Sequence, residues 1–149
     1  MADKFDELEK EILEAMRKIY SETVIDHAMN PRNTAQIQNP DGFCFTASAC
    51  GETMEIRLKT EDGKIADASF WTNGCSATVA CGSMASELVK GQDISQALAI
   101  GQKDILEALN GLPKGNHHCA ALAAAAVKAA VMDYLAMRKE PWKKAYRKC

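Results

Sequence analysis

The stretch Met54-Glu55-Ile56-Arg57-Leu58-Lys59 alternates an apolar side chain with a charged one. Successive side chains of a strand point to opposite faces, so this pattern reads as a half-buried strand with Met54, Ile56 and Leu58 inward. Asp62-Gly63 follows as a hairpin turn. The chain returns over Lys64–Thr72, with Ala66, Ala68 and Phe70 expected on one face. An earlier strand covers Phe43–Ser48, and Asn73-Gly74 ends this part of the chain.

Helices flank the strands on both sides. Residues 3–28 read as one amphipathic helix, because Phe5, Leu8, Ile12, Ala15, Ile19, Tyr20, Val24 and Ala28 recur at three- and four-residue steps. It ends at Asn30-Pro31, since the residue before proline avoids the helical region. Pro31 to Gly42 is a connector in which mobility is expected. Beyond the strands, Ser76 is placed to cap a helix running to about Lys90, which Gly91 terminates. Asp93 and Ser95 open a short helix, and Gln102–Leu109 forms another, closed by Gly111-Leu112-Pro113. The run Ala120-Ala121-Leu122-Ala123-Ala124-Ala125-Ala126-Val127 starts a long C-terminal helix to about Lys139. Alanine has the highest helix propensity, and Pro and Gly are absent until Pro141. Its stripe is Ala123, Ala126, Val127, Ala130, Val131 and Tyr134, small enough for neighbouring elements to approach closely.

The totals narrow the class. A chain of 149 residues reads as one domain, 1–149, with residues 1–19 a helical extension and 140–149 a basic tail carrying Lys143, Lys144, Arg147 and Lys148. A net charge of −2 gives no footprint for nucleic acid. No apolar run approaches the roughly 20 residues of a membrane span, so no membrane partner is expected. The acidic N-terminus has neither the apolar core of a secretory signal nor the arginines of a transit peptide. The expected compartment is therefore the cytoplasm, where thiols stay reduced, and six cysteines there point to metal or thiol chemistry rather than a disulfide framework.

Three cysteines share a local setting. Cys50 lies in Ala-Cys-Gly-Glu between two strands, Cys75 in Asn-Gly-Cys-Ser between strand and helix, and Cys119 at the start of the last helix. Unpaired N–H groups and the positive end of the dipole gather at a helix start and favour a thiolate. Glu52 is two residues beyond Cys50, and His118 directly precedes Cys119. Three thiolates with a carboxylate or imidazole make a soft site, suited to iron–sulfur or zinc and unsuited to magnesium or calcium. No C-x-x-C occurs, so spacing alone does not define a zinc ribbon or a ferredoxin. Cys44 and Cys81 read as small buried hydrophobes, with Cys81 pointing away from the site, and Cys149 as a tail thiol. His117 reads as an exposed neighbour and His27 as structural.

From Tyr20 to about Lys139 the sequence resembles the IscU/NifU N-terminal family of iron–sulfur cluster scaffolds. The stretches that carry the resemblance are Tyr20-Ser21-Glu22-Thr23-Val24-Ile25-Asp26-His27, Asn30-Pro31-Arg32-Asn33, Ala49-Cys50-Gly51-Glu52, Phe70-Trp71-Thr72-Asn73-Gly74-Cys75, Leu88-Val89-Lys90-Gly91 and His118-Cys119. The resemblance implies an α+β fold: a small three-stranded antiparallel sheet with helices packed against it. It implies a scaffold rather than an enzyme, holding a cluster, 2Fe–2S in the first instance, through Cys50, Cys75 and Cys119. His118 or Glu52 would be the fourth or exchangeable ligand. The implied partners are a cysteine desulfurase as sulfur donor and apo iron–sulfur proteins as acceptors, with a homodimer left open. Two departures matter. The family usually has Asp where this chain has Glu52. The family's chaperone-docking motif is replaced by Leu112-Pro113-Lys114-Gly115-Asn116, which leaves an Hsp70-type partner open. The rival reading is a zinc-binding structural or sulfur-acceptor protein using the same residues. Zinc can also occupy a cluster-free scaffold site.

Overall fold

The computed structural model describes residues 4–146. Three strands, β1 (Gly42–Ala47), β2 (Thr53–Glu61) and β3 (Lys64–Thr72), form an antiparallel sheet in the order β1-β2-β3. Cys44 pairs with Ile56 and Ile56 with Phe70 across it, so one face collects Cys44, Met54, Ile56, Leu58, Ala68 and Phe70, all buried. The expected inward position of Ala66 is not observed: Ala66 is exposed and Ile65 takes the buried place. The register shifts between Lys59 and Thr60, which pair with Asp67 and Ile65, so Ala66 is an extra residue of β3 and Ile65 takes the inward place.

The helices are α1 (Lys4–Arg17), α2 (Glu22–Met29), α3 (Ser76–Val89), α4 (Ile94–Leu98), α5 (Gln102–Ala108) and α6 (His117–Lys139), and α3 and α6 cover that face. The α6 stripe packs on β1 and β2, and Ala123, Ala126, Val127, Ala130 and Val131 are fully buried. By length and composition residues 114–139 are apolar enough to cross a bilayer. Their inward face is occupied by the sheet, α3 and α5, the arrangement of a core helix. Val24, Ala77, Ala85, Val89, Ile105 and Leu109 complete the same core.

Three expectations are corrected at the helix boundaries. Residues 3–28 form two helices, because Ser21 interrupts them. Its Oγ accepts the Val24 N–H at 3.1 Å as the cap of α2 and donates to the Leu109 carbonyl at 2.5 Å. The α1 stripe has the helical period, yet α1 contributes no buried residue, and Phe5, Leu8 and Ile12 stand in solvent. At α3 the cap position belongs to Cys75, with Ser76 the first helical residue.

The Pro31–Gly42 connector is tied down rather than free. The Arg32 N–H donates to Ser83 Oγ, Asn33 Nδ2 to Ser86 Oγ and Glu87 Oε1, and Phe70 N–H to the Asn33 carbonyl. Asp3, Arg147, Lys148 and Cys149 lie outside the described residues.

Candidate metal centre

The end of β3, the start of α3 and the start of α6 meet at one point. Cys75 reaches it from the turn Asn73-Gly74, and the Asn73 side chain fixes that turn by accepting the Thr53 N–H at 2.8 Å. Cys75 is exposed. Burial of its sulfur opposes ionisation. The Thr78 hydroxyl and the backbone N–H groups of Thr78 and Ala77 outweigh it, holding the thiol below its ordinary value. This is the thiolate-favouring helix start expected from the sequence.

Cys119 departs from that expectation. It is the third residue of α6, fully buried, and its thiol is pushed up to about 11. Burial is the main cause; the Thr78 hydroxyl works against it, and the charges of Cys75 and Glu52 add to it. The field of a helix start is outweighed here by loss of water.

Glu52 and His118 stand over the buried sulfur. Nε2 of His118 is 3.6 Å from Cys119 Sγ and 3.6 Å from Glu52 Oε2. The donor atoms of Glu52, His118 and Cys119 all lie within 4.8 Å of one another. Cys75 joins them through Thr78, whose Oγ1 is 3.2 Å from Glu52 Oε2, 3.2 Å from Cys119 Sγ and 3.6 Å from Cys75 Sγ. Three of the five expected ligand residues are thus gathered around one hydroxyl, and His118 joins them through Cys119 and Glu52.

Cys50 is the one set apart. It lies on the exposed turn between β1 and β2, which the Ser48 N–H closes by donating to the Glu52 carbonyl at 2.7 Å. Gly51 takes φ +86 there, a left-handed conformation that glycine adopts without strain. The Cys50 N–H donates to Ser48 Oγ at 3.3 Å.

Thr78 is the residue that sequence reasoning missed. It is fully buried in the first turn of α3, three residues beyond Cys75 and so on the same helix face. The Cys75-x-x-Thr78 spacing at a helix start was the available signal. A Cβ added at Gly74 would fall 2.6 Å from Thr78 Cβ, so the glycine is what lets the threonine sit against the turn. Cys81 is buried as expected. It lies one helical turn beyond Thr78, and burial, then the charges of Cys119, Cys75 and Glu52, push its thiol far up. His117 is half-buried rather than exposed, with Nε2 3.0 Å from the Leu112 carbonyl. His27 is structural as expected, buried with Nδ1 2.7 Å from Ser83 Oγ. Cys44 is buried in the core.

A family model for the NifU-like N terminal domain matches residues 19–141. The chain belongs to this family. It is 44% identical over 117 residues to the iron-sulfur cluster assembly scaffold protein IscU 1 of Archaeoglobus fulgidus, covering 78% of this chain and 76% of the relative. It is 43% identical over 125 residues to the iron-sulfur cluster assembly scaffold protein IscU of Escherichia coli K12, covering 80% and 97%. The fold is shared with the NifU-like protein (N-terminal) from Brucella abortus, at TM-score 0.62 and 22% identity over 81% of this chain and 97% of that one. It is shared also with a putative SUF-system scaffold from Fervidobacterium islandicum AW-1, at TM-score 0.52 and 15% identity over 85% and 87%. In this NifU-like chain the gathered donors are two thiols, an imidazole and a carboxylate, a set that fits a thiophilic transition metal.

Proposed function

We propose that this chain is a scaffold on which iron–sulfur clusters are assembled and from which they pass to apo-proteins. The observation that carries the reading is the convergence of Cys75, Glu52, His118 and Cys119 on one point, with Cys50 on the adjoining exposed turn. A cysteine desulfurase delivers sulfur to one of the three thiols as a persulfide, an external electron or thiol donor reduces it to sulfide, iron joins it, and the cluster, taken as 2Fe–2S, is the cargo. Thiolates of Cys50, Cys75 and Cys119 hold it, and Glu52 or His118 supplies the fourth contact. Oxygen and nitrogen are harder donors than sulfur, and they let go of a sulfur-rich cluster first. The open side at Cys50 gives donor and acceptor proteins their access. In this reading residues 1–149 are one scaffold unit without turnover chemistry of its own, working in the cytoplasm. Residues 1–19 are its extension and 140–149 its basic tail.

A second reading is favoured by one feature: Glu52, His118 and Cys119 are already within ligand distance of a common point. With Cys75 they would close a tetrahedral zinc site. Anaerobic reconstitution with ferrous iron, cysteine and a cysteine desulfurase separates the two. A scaffold turns brown, shows sulfur-to-iron charge-transfer absorbance, and loses that absorbance to an excess of apo-ferredoxin. A protein that keeps zinc under these conditions and gains no visible absorbance is not a scaffold.

A further inference from the structure

Thr78 has three polar partners and one proton. Its Oγ1 faces Glu52 Oε2 at 3.2 Å, Cys119 Sγ at 3.2 Å and Cys75 Sγ at 3.6 Å. The residue is fully buried, so water does not make up a missing bond. Its one proton can be donated to Glu52 Oε2 or to Cys119 Sγ, each 3.2 Å away, while a thiol S–H can donate to Oγ1 in turn. Metal binding changes this count. Ligating thiols lose their protons to solvent. Oγ1 then faces two sulfurs and a carboxylate, all acceptors, with a single proton to share. The side chain has little freedom to leave, because Cβ, Cγ2 and Oγ1 all pack against Gly74.

We infer that Thr78 is a positioning residue of the metal site. In the metal-free protein its hydroxyl holds Glu52 beside the two thiols. When the thiols are ligated, the same hydroxyl supplies the hydrogen bond that keeps a sulfur in place beside Glu52. No bond other than hydrogen bonds is made or broken beyond the ligation itself. The inference rests on the site proposed above, and the test separates the two.

The probe is Co(II) alone, added anaerobically to the full chain, with affinity and sulfur-to-cobalt charge transfer read by absorbance. Loss of an outer-shell partner typically costs 10–100-fold in metal affinity, so Thr78→Val is expected to weaken binding by about that factor while Thr78→Ser stays within about threefold of the parent. The charge-transfer band of Thr78→Val should also move to longer wavelength, because a thiolate stripped of a hydrogen bond is a better electron donor; serine should restore it. If valine abolishes cooperative unfolding, Thr78→Ala takes its place, since Ala and Ser differ only by the hydroxyl. Affinity and spectrum unchanged on loss of the hydroxyl overturn the role of Thr78 and leave the site standing. Serine behaving like valine or alanine overturns it too, by assigning the effect to packing. A parent chain that takes up no cobalt overturns the site itself, and the role of Thr78 with it.

Discussion

Cys119 and Cys50 are both expected ligands, and they are held in opposite ways. Cys119 is fully buried on a helix whose inner face is core, and it meets Thr78 and His118 within 3.6 Å. Cys50 is exposed on a five-residue turn whose bonds are mostly its own, Ser48 to Glu52 and Cys50 to Ser48. One wall of the site is therefore part of the folded core, and the other is a flap of backbone at the sheet's end. The difference assigns tasks. A wall of fixed donors gives affinity without ordering cost at the moment of binding. An exposed turn gives access, and in the scaffold reading proposed above it is the side from which Cys50 would meet a multi-atom cargo.

The largest expected effect comes from taking a sulfur out of the fixed wall. Cys119→Ser or Cys75→Ser should weaken Co(II) binding by more than about 100-fold, beyond the range for an outer-shell partner. Retention of parental affinity in either variant would mean the wall is not the binding element.

Thiol labelling sharpens the same contrast. Cys75 is held below its ordinary value and is exposed, whereas Cys119 is buried at about 11, so at pH 7 only about one Cys119 in ten thousand is thiolate. With iodoacetamide at pH 7, peptide mass spectrometry should show Cys75 modified on the order of a hundredfold faster than Cys119. Cys50, being exposed, should also precede Cys119. Equal rates at Cys75 and Cys119 would remove the distinction between an open and a buried sulfur.

A smaller effect is expected in the pH dependence of stability without metal. The folded Cys119 thiol titrates at about 11 against an ordinary value of 9.0. A group whose folded value is raised contributes fully below its unfolded value and loses that contribution as pH rises through the folded one. The thermal midpoint should thus decline between about pH 9 and pH 11, and the decline should be shallower in Cys119→Ala. A parallel decline in both proteins would place the ionisation elsewhere.

Much of this is legible in the sequence. Alternation at Met54, Ile56 and Leu58 gave the central strand, and the 3.6-residue stripe of α6 gave the core helix, because burial on one face writes its period into the sequence. The bulge that exposes Ala66 was not legible, since it depends on pairing with β2 rather than on β3 itself. The break before α2 carried its capping signal in Ser21, but the apolar period ran on across it and masked the boundary. At the site, Glu52, Cys75, His118 and Cys119 could be named from their residue types and settings. Thr78 could not, because a buried threonine in a helix looks like core filling until its three partners arrive from the β1–β2 turn, the cap of α3 and α6. The raised thiol of Cys119 escaped for a related reason: the helix start is local and visible, whereas the burial that outweighs it is tertiary. The separateness of Cys50 is likewise a matter of how the turn sits, which spacing does not state.

The measurement that tests the two-walled site most directly is Cys50→Ser in two parallel titrations, one with Co(II) alone and one with iron, cysteine and desulfurase. With a single ion the fixed wall suffices, and the variant should bind within about threefold of the parent, since a change outside the coordination shell falls short of even the 10–100-fold outer-shell range. With the cluster the turn is needed, and the variant should lose its visible absorbance on desalting while the parent keeps it. Cobalt affinity that falls as far as in Cys119→Ser, or a cluster held as firmly as by the parent, would contradict the account.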